Sequence, residues 1–255
     1  MGSDFFEGLM RWSIERNGTT VRLPYPYFDS LLFSAVYTAS TPQVRRLIPR
    51  EDLHPIELTP GRCLTSIAYL SHRRTQDDPY NEASISFLVS HRRRPLPFIT
   101  IARILGTGVA PAYVWQLPVT TEAARAGGQD LFALPKFLAQ IKIATDGGRV
   151  DCSLSLSGAE LLHLSGPALP AQGMRLVRYL TYAVDGDCLV SANTVVNAIQ
   201  FAESWRTSGV ELTIGQGHPL CEALRGIKLA RRPTIIQYIP HSEALLFPAR
   251  NVRDL

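Results

Sequence analysis

The chain is dominated by short runs in which polar and apolar residues alternate, the pattern of β-strands with one buried face. The segment 150–157 alternates most cleanly, and the segment 80–89 alternates through Phe87 before it becomes wholly apolar. Asp146-Gly147-Gly148 and Asp185-Gly186-Asp187 supply residues that adopt the positive φ of tight hairpin turns. The spacing therefore predicts antiparallel strands joined by short turns.

Ten further segments have the same short, turn-bounded character and are predicted to be strands. They are 30–38, 62–71, 97–105, 110–117, 137–144, 159–165, 174–184, 188–197, 208–214 and 234–247.

Helical signals are few. Thr41-Pro42 opens a candidate helix that runs to Ile48, with threonine as N-cap and proline at the first helical position. A second is predicted over 121–126, with Gly127-Gly128 as its stop, and a third over 219–224, ending at Gly226. Many strands and three short helices indicate a barrel or a sandwich. We expect an α+β, mainly antiparallel β fold with a closed β-barrel-like core, forming a single domain over residues 1–255.

Composition narrows the classes of protein. A chain of 255 residues with 45% hydrophobic content can bury a substantial core. The net charge of +4 is mild, and no nucleic-acid-binding motif is present. The apolar region 96–119 is interrupted by Arg103, Pro111 and Pro118, so it does not predict a membrane span. The N-terminus does not resemble a signal peptide. We expect a cytoplasmic protein with no nucleic-acid or membrane partner.

Several catalytic chemistries lack their motifs. The four cysteines form no C-x-x-C pair, and the six histidines show no ligand spacing, so no metal site is expected. No G-x-S-x-G elbow and no phosphate-binding glycine loop occur.

Lys136 is the most unusual residue of the chain, because it is one of three lysines among 26 lysine and arginine residues. It follows Leu134-Pro135 and precedes Phe137-Leu138, so apolar residues flank it on both sides. Burial disfavours the charged form of an amine, and a neutral amine is a nucleophile for carbonyl carbon. The alternative is a strand lysine whose stem covers apolar surface while its head lies in water.

Glu82 is the natural acidic partner for Lys136. It begins an otherwise uncharged strand and shares a face with Tyr80 and Ser84. The alternative is a solvent-facing carboxylate on a half-exposed strand.

Two segments in this order resemble the acetoacetate decarboxylase family. They are Pro-Tyr-Asn-Glu at 79–82 and, about fifty residues later, the stretch 128–136 that ends in Pro135-Lys136. The resemblance implies that Lys136 forms the Schiff base and that Glu82 is the active-site carboxylate. It also implies a β-barrel-containing α+β domain that is a homo-oligomer. Activation of the lysine by desolvation or by a cationic neighbour is already the known device of acetoacetate decarboxylase.

The chain departs from the family pattern at several positions. Phe137 stands where the decarboxylases carry a second lysine, so activation of Lys136 falls to desolvation. Asp29-Ser30 occupies the place of an arginine suited to the substrate carboxylate, and Thr65 or Ser66 that of an acidic residue. Gln129-Asp130 replaces Arg-Glu ahead of the lysine. Arg103 is the remaining candidate for the substrate carboxylate.

The expected function is a Schiff-base-forming lyase that decarboxylates a small keto acid through Lys136. Glu82 would move protons, and Tyr80, Gln129 and Asp130 would bind the substrate, with Tyr80 donating a hydrogen bond to the carbinolamine. No metal or organic cofactor is required. Two alternatives remain: a pyruvate-type aldolase-dehydratase that uses the same lysine, and a non-catalytic β-barrel that binds a small ligand.

Overall fold

The computed structural model describes residues 4–16 and 18–252. The strands are β1 (Trp12–Arg16), β2 (Thr19–Leu23), β3 (Tyr25–Ser40), β4 (Leu53–Pro55), β5 (Glu57–Thr59), β6 (Arg62–Thr75), β7 (Tyr80–His91), β8 (Val109–Val119), β9 (Lys136–Leu138), β10 (Gln140–Asp146), β11 (Arg149–Leu156), β12 (Ala159–Pro167), β13 (Arg175–Asp185), β14 (Cys188–Ser204), β15 (Glu211–Ile214), β16 (Ile235–Leu246) and β17 (Arg250–Asn251). The helices are α1 (Thr41–Leu47), α2 (Pro97–Thr107), α3 (Glu122–Phe132) and α4 (Pro219–Gly226), and a 3-10 turn covers Asp4–Phe6.

A closed barrel of seven strands forms the centre of the fold. The strands follow the order β7, β6, β3, β16, β14, β13 and β8, and pairing of β8 with β7 closes the ring. All of these pairs are antiparallel except β13 with β8, which is parallel. The prediction of an α+β fold with a closed, mainly antiparallel barrel core is confirmed.

A second sheet packs against the outside of the barrel. Its strand order is β10, β11, β12 and β15. Successive residues of a strand face opposite sides, so Leu32 and Ser34 of β3 line the barrel interior while Phe33 faces outward. The outward side chains of Phe33 and Tyr69 are completely buried between the two layers. The Tyr69 hydroxyl donates to the Leu162 carbonyl oxygen at 3.2 Å and ties the layers together.

The strand predicted over 97–105 is wrong, because this segment forms helix α2. An apolar run of this length cannot be assigned to strand or helix by periodicity alone. Proline in the first turn favours the helix, and Ile101, Ile104 and Leu105 recur at the spacing of one helical face. Gly108 ends the helix in the left-handed conformation, with φ of 64°.

Helices α1 and α4 match their predicted segments, although Ser40 and not Thr41 is the N-cap of α1, so Pro42 is its second residue. Helix α3 is longer than predicted. Gly127-Gly128 does not stop this helix, which continues to Phe132 and ends at Ala133 in the left-handed conformation. Continuation is favoured because the last turn buries Leu131 and Phe132 in an apolar cluster with Leu117 of β8.

The remaining strand and hairpin predictions hold with small changes. Gly147, Gly148 and Gly186 have positive φ at the two predicted hairpins. The segment 137–144 is divided between β9 and β10, and pairing within 208–214 is confined to Glu211–Ile214. The β1–β2 hairpin was not predicted. In the described part of the chain, no helix has the length and apolar character needed to cross a membrane.

Candidate active site

The turn between α3 and β9 directs Lys136 into the barrel. Ala133 adopts the left-handed conformation with φ of 52°, and the Leu134 amide donates to the Gly128 carbonyl at 3.0 Å. Strand β9 then pairs in parallel with β8, with Lys136 opposite Leu117. The Lys136 residue is only 6% exposed.

Gly128 allows the Lys136 side chain to lie against α3. A Cβ atom at this position would overlap Cδ of Lys136 and lie 2.6 Å from its Cε atom. The glycine at 128 is therefore required for a close approach of helix and side chain, and it does not act as a helix stop.

Glu82 forms an ion pair with Lys136 inside the barrel. Its Oε2 atom lies 2.8 Å from Nζ of Lys136, and the two side chains are 12% and 6% exposed. Neither charge is in bulk water, so the solvent-exposed positions that the sequence also allowed for Lys136 and Glu82 are wrong. Buried pairs of this kind offset most of their desolvation cost, but removing one partner leaves the other charge uncompensated, at a cost of about 3–5 kcal/mol.

The ring of Tyr80 lies close to the ammonium group, and Tyr27 is hydrogen-bonded to Tyr80. Nζ of Lys136 lies 5.3 Å from the centre of the Tyr80 ring, a geometry in which the ring face attracts a cation. The Tyr80 and Tyr27 hydroxyls are 3.2 Å apart and hydrogen-bonded. Burial and the nearby Glu82 carboxylate raise the pKa of Tyr27. Burial, together with the neighbouring Tyr27 and Glu82, raises the pKa of Tyr80. Both phenols therefore remain protonated donors at neutral pH.

His72 was not identified from sequence, yet it lies beside the two tyrosines. Its ring packs against Tyr27 and Tyr80 with centroid distances of 4.3 and 4.7 Å, and its Nδ1 lies 2.9 Å from the Ser30 hydroxyl. Burial, with the Lys136 charge as a smaller cause, lowers the pKa of His72 to about 4, although Glu82 opposes the shift. The imidazole is therefore neutral at pH 7. No spacing signal pointed to it, because its partners come from β3 and β7.

A cavity of about 300 Å³ fills the barrel beside the ion pair. This volume lies at the lower end of the range for small-molecule sites, roughly 300–1,000 Å³. Its wall carries hydroxyl groups from β3 and β7, among them Ser30, Ser34 and Ser84. The rest of the wall is mostly aliphatic, and the charged residues of the described lining are Glu82, Lys136, Arg175 and Glu203.

Four of the predicted residues do not line this cavity: Tyr80, Gln129, Asp130 and Arg103. Gln129 is exposed on α3, and its side-chain amide donates to the Lys136 carbonyl oxygen at 2.6 Å. Asp130 follows it on the same helix, half-buried. Arg103 lies on the exposed side of α2. Gln129 thus holds the backbone that carries the amine, whereas substrate contact by Gln129 or Asp130 stays a prediction.

Within residues 4–16 and 18–252, no group of three or more histidine, cysteine, aspartate or glutamate side chains has an arrangement that could hold a metal ion.

Comparison with solved structures shows that the fold is shared with other proteins. A structure from studies of acetoacetate decarboxylase superposes with a TM-score of 0.62 at 17% identity, covering 91% of this chain and 90% of that one. The acetoacetate decarboxylase of Legionella pneumophila subsp. pneumophila str. Philadelphia 1 gives 0.64 at 12% identity, with coverages of 98% and 93%. The enduracididine biosynthesis enzyme MppR complexed with pyruvate gives 0.65 at 14% identity, with coverages of 89% and 90%.

Sequence comparison agrees with the structural one. The family model described as acetoacetate decarboxylase (ADC) matches residues 14–222, a range that contains Tyr80, Glu82, Gly128 and Lys136. No curated protein matches the chain.

The two adjacent glycines of α3 provide a matched test of the close approach. Gly127→Ala should stabilise the protein by about 0.5–1 kcal/mol, because alanine favours helix and nothing lies within 4 Å of the added carbon. Gly128→Ala should instead destabilise it by roughly 1–3 kcal/mol, because the methyl group displaces Lys136 from Glu82. Denaturant unfolding of both variants measures the difference; equal stability would contradict the packing described.

Burial of neutral His72 predicts a specific loss of stability in acid. The folded-state pKa of about 4 is below the ordinary value of 6.5, so the unfolded state binds the proton first. The stabilisation is complete above pH 6.5 and is lost as the pH falls towards 4, by roughly 3 kcal/mol. Denaturant unfolding between pH 7 and 4 should show a shallower dependence in His72→Gln than in the wild type. Superimposable pH profiles would contradict the assignment.

Proposed function

Because the chain belongs to the acetoacetate decarboxylase family, we propose that it is a lyase whose Lys136 forms a Schiff base with a keto acid. The observation that carries the proposal is the buried amine of Lys136, paired at 2.8 Å with Glu82 on the wall of a barrel cavity. Schiff-base formation requires a proton acceptor for the amine and space for a carbonyl compound, and both lie next to Lys136.

Glu82 supports the first step by accepting a proton. An ammonium group has no lone pair, so Lys136 must lose a proton before it attacks. Glu82 is within hydrogen-bonding reach, the geometry required of a general base. The transfer converts the ion pair into two neutral groups, and the amine gains the lone pair that attacks the carbonyl carbon.

Imine formation then creates an electron sink. The Lys136 nitrogen adds to the carbonyl carbon, the carbinolamine loses water, and a protonated imine remains. The Tyr80 ring lies 5.3 Å from the nitrogen, and its hydroxyl, hydrogen-bonded to that of Tyr27, is the nearest candidate to protonate the oxygen as it leaves. The bond to the substrate carboxylate breaks, its electron pair moves towards the iminium nitrogen, and carbon dioxide departs. The enamine takes a proton on carbon, and water releases the ketone and Lys136.

The chemistry of the cavity wall favours loss of carbon dioxide. Arg175, the other cation of the described lining, lies 3.5 Å from Glu203 and is therefore already paired. A β-keto acid bound at Lys136 would place its carboxylate against small hydroxyls and aliphatic carbons, with the iminium as its counter-charge. Desolvation of the carboxylate raises its energy relative to neutral carbon dioxide.

A second reaction is supported by the same geometry. Glu82 is close enough to Nζ to remove a proton from the carbon next to the imine, which gives an enamine for aldol addition or dehydration. The fold shared with MppR, solved in complex with pyruvate, favours this alternative over others.

Reductive trapping tests the proposal. Acetoacetate or pyruvate plus borohydride should add one substrate-derived mass to Lys136, located by peptide mapping. Lys136→Arg, which keeps the charge opposite Glu82 but cannot form this imine, should add none. Glu82→Gln should slow adduct formation by about a hundredfold or more, because the ammonium loses its proton acceptor.

The outcomes of this experiment distinguish the three candidate functions. Carbon dioxide release with acetoacetate identifies the decarboxylase, whereas aldehyde-dependent consumption of pyruvate identifies the aldolase-dehydratase. A non-catalytic binding barrel would bind the keto acid without any adduct, and absence of an adduct with every keto acid overturns the proposal.

A further inference from the structure

The cavity continues far beyond the space next to Lys136. Glu82, Ser84, Ser86 and Leu88 occupy one face of β7, and all four line it. Leu88 lies six positions after Glu82 along the extended strand, a distance of about 20 Å. A small keto acid held at Lys136 would occupy only one end of such a space.

The far end of the cavity is apolar. It is lined by the inner face of α2, which contributes Ile101, Ile104 and Leu105. Leu58, Leu64 and Leu88 complete this end and pack in one cluster with the helix. Aliphatic surface of this kind gains nothing from a polar ligand but is stabilised when hydrocarbon replaces water.

The mouth lies at the same end as α2. Leu105 and Trp205 both line the cavity and are 44% and 55% exposed, so they mark where it opens to solvent. Arg175 and Glu203 pair beside this opening, and the Gln237 amide donates to Glu203 at 3.1 Å. The pair at the mouth satisfies its own charges and leaves the interior between it and Lys136 without a free ion.

We propose that this cavity takes a carbonyl compound with an extended, unbranched hydrocarbon chain, specifically a medium-chain 3-oxo acid, with its carbonyl carbon at Lys136 and its chain directed towards α2. This inference rests on the proposed Schiff-base function and specifies its substrate class. Polar chemistry at one end and aliphatic carbon at the other match the two ends of such a molecule.

Chain length should therefore control the reaction rate. Burying one methylene group contributes about 0.8 kcal/mol, which corresponds to roughly a fourfold gain in kcat/KM. Each added pair of methylenes should raise kcat/KM by about fifteenfold until the chain reaches α2, after which the gain should stop.

The test uses the full chain with acetoacetate, 3-oxohexanoate, 3-oxooctanoate and 3-oxodecanoate. Carbon dioxide release gives kcat/KM, and borohydride trapping reports the adduct on Lys136 in parallel. A rise of about fifteenfold per step supports the inference. Adducts with a flat or falling dependence on length would overturn the substrate class and leave the Schiff-base function standing, whereas no adduct with any member would overturn the function itself.

A variant locates the chain within the barrel. Ala112 lines the cavity on β8 opposite Leu88, five residues from the position paired with Lys136. Ala112→Phe should lower the ratio of kcat/KM for 3-oxodecanoate to that for acetoacetate by at least tenfold. Ala102→Phe, the same change on the exposed side of α2, should leave the ratio unaltered. An unaltered ratio in Ala112→Phe, with the thermal midpoint showing it folded, would overturn the placement; if it does not fold, the wild-type length series decides.

Discussion

The site depends on the ion pair between Lys136 and Glu82, 2.8 Å apart in the interior of a barrel. Two charges out of water require each other, because either one alone would be strongly destabilising there. The left-handed residue Ala133 and the close approach at Gly128 hold the amine, and the inner face of β7 holds the carboxylate. The same burial places the amine on the wall of the cavity, where a carbonyl compound would reach it.

The barrel can keep an open cavity because its strands have two different faces. Phe33, Tyr69 and Phe87 point outward and are fully buried against the four-stranded sheet. Their burial provides cohesion on the outside of the wall, so the inner face does not have to be filled. Inward positions such as Ser34 and Ala112 are small and leave room for a ligand. Stability and binding are thus carried by alternate residues of the same strands.

Sequence reasoning identified what local pattern determines. The hairpins at Gly147 and Gly186 could be predicted from turn residues. The pairing of Lys136 with Glu82 could be expected from the rarity of the lysine and from the resemblance to the family. The segment 97–105 could not, because an apolar run fits a strand or a helix until its tertiary partners are known. Gly128 was interpreted as a helix stop because the side chain it touches lies eight residues ahead. His72 and the length of the cavity depend on side chains from several strands, which no local pattern reports.

The most direct test of imine formation follows the carbonyl oxygen. A ketone that passes through a Schiff base loses its oxygen as water and regains one from solvent on hydrolysis. Acetone labelled with oxygen-18, incubated with the protein in unlabelled water, should lose its label far faster than in buffer alone. The rate should fall to the buffer value with Lys136→Met. Retention of the label in the presence of folded wild-type protein would contradict the account.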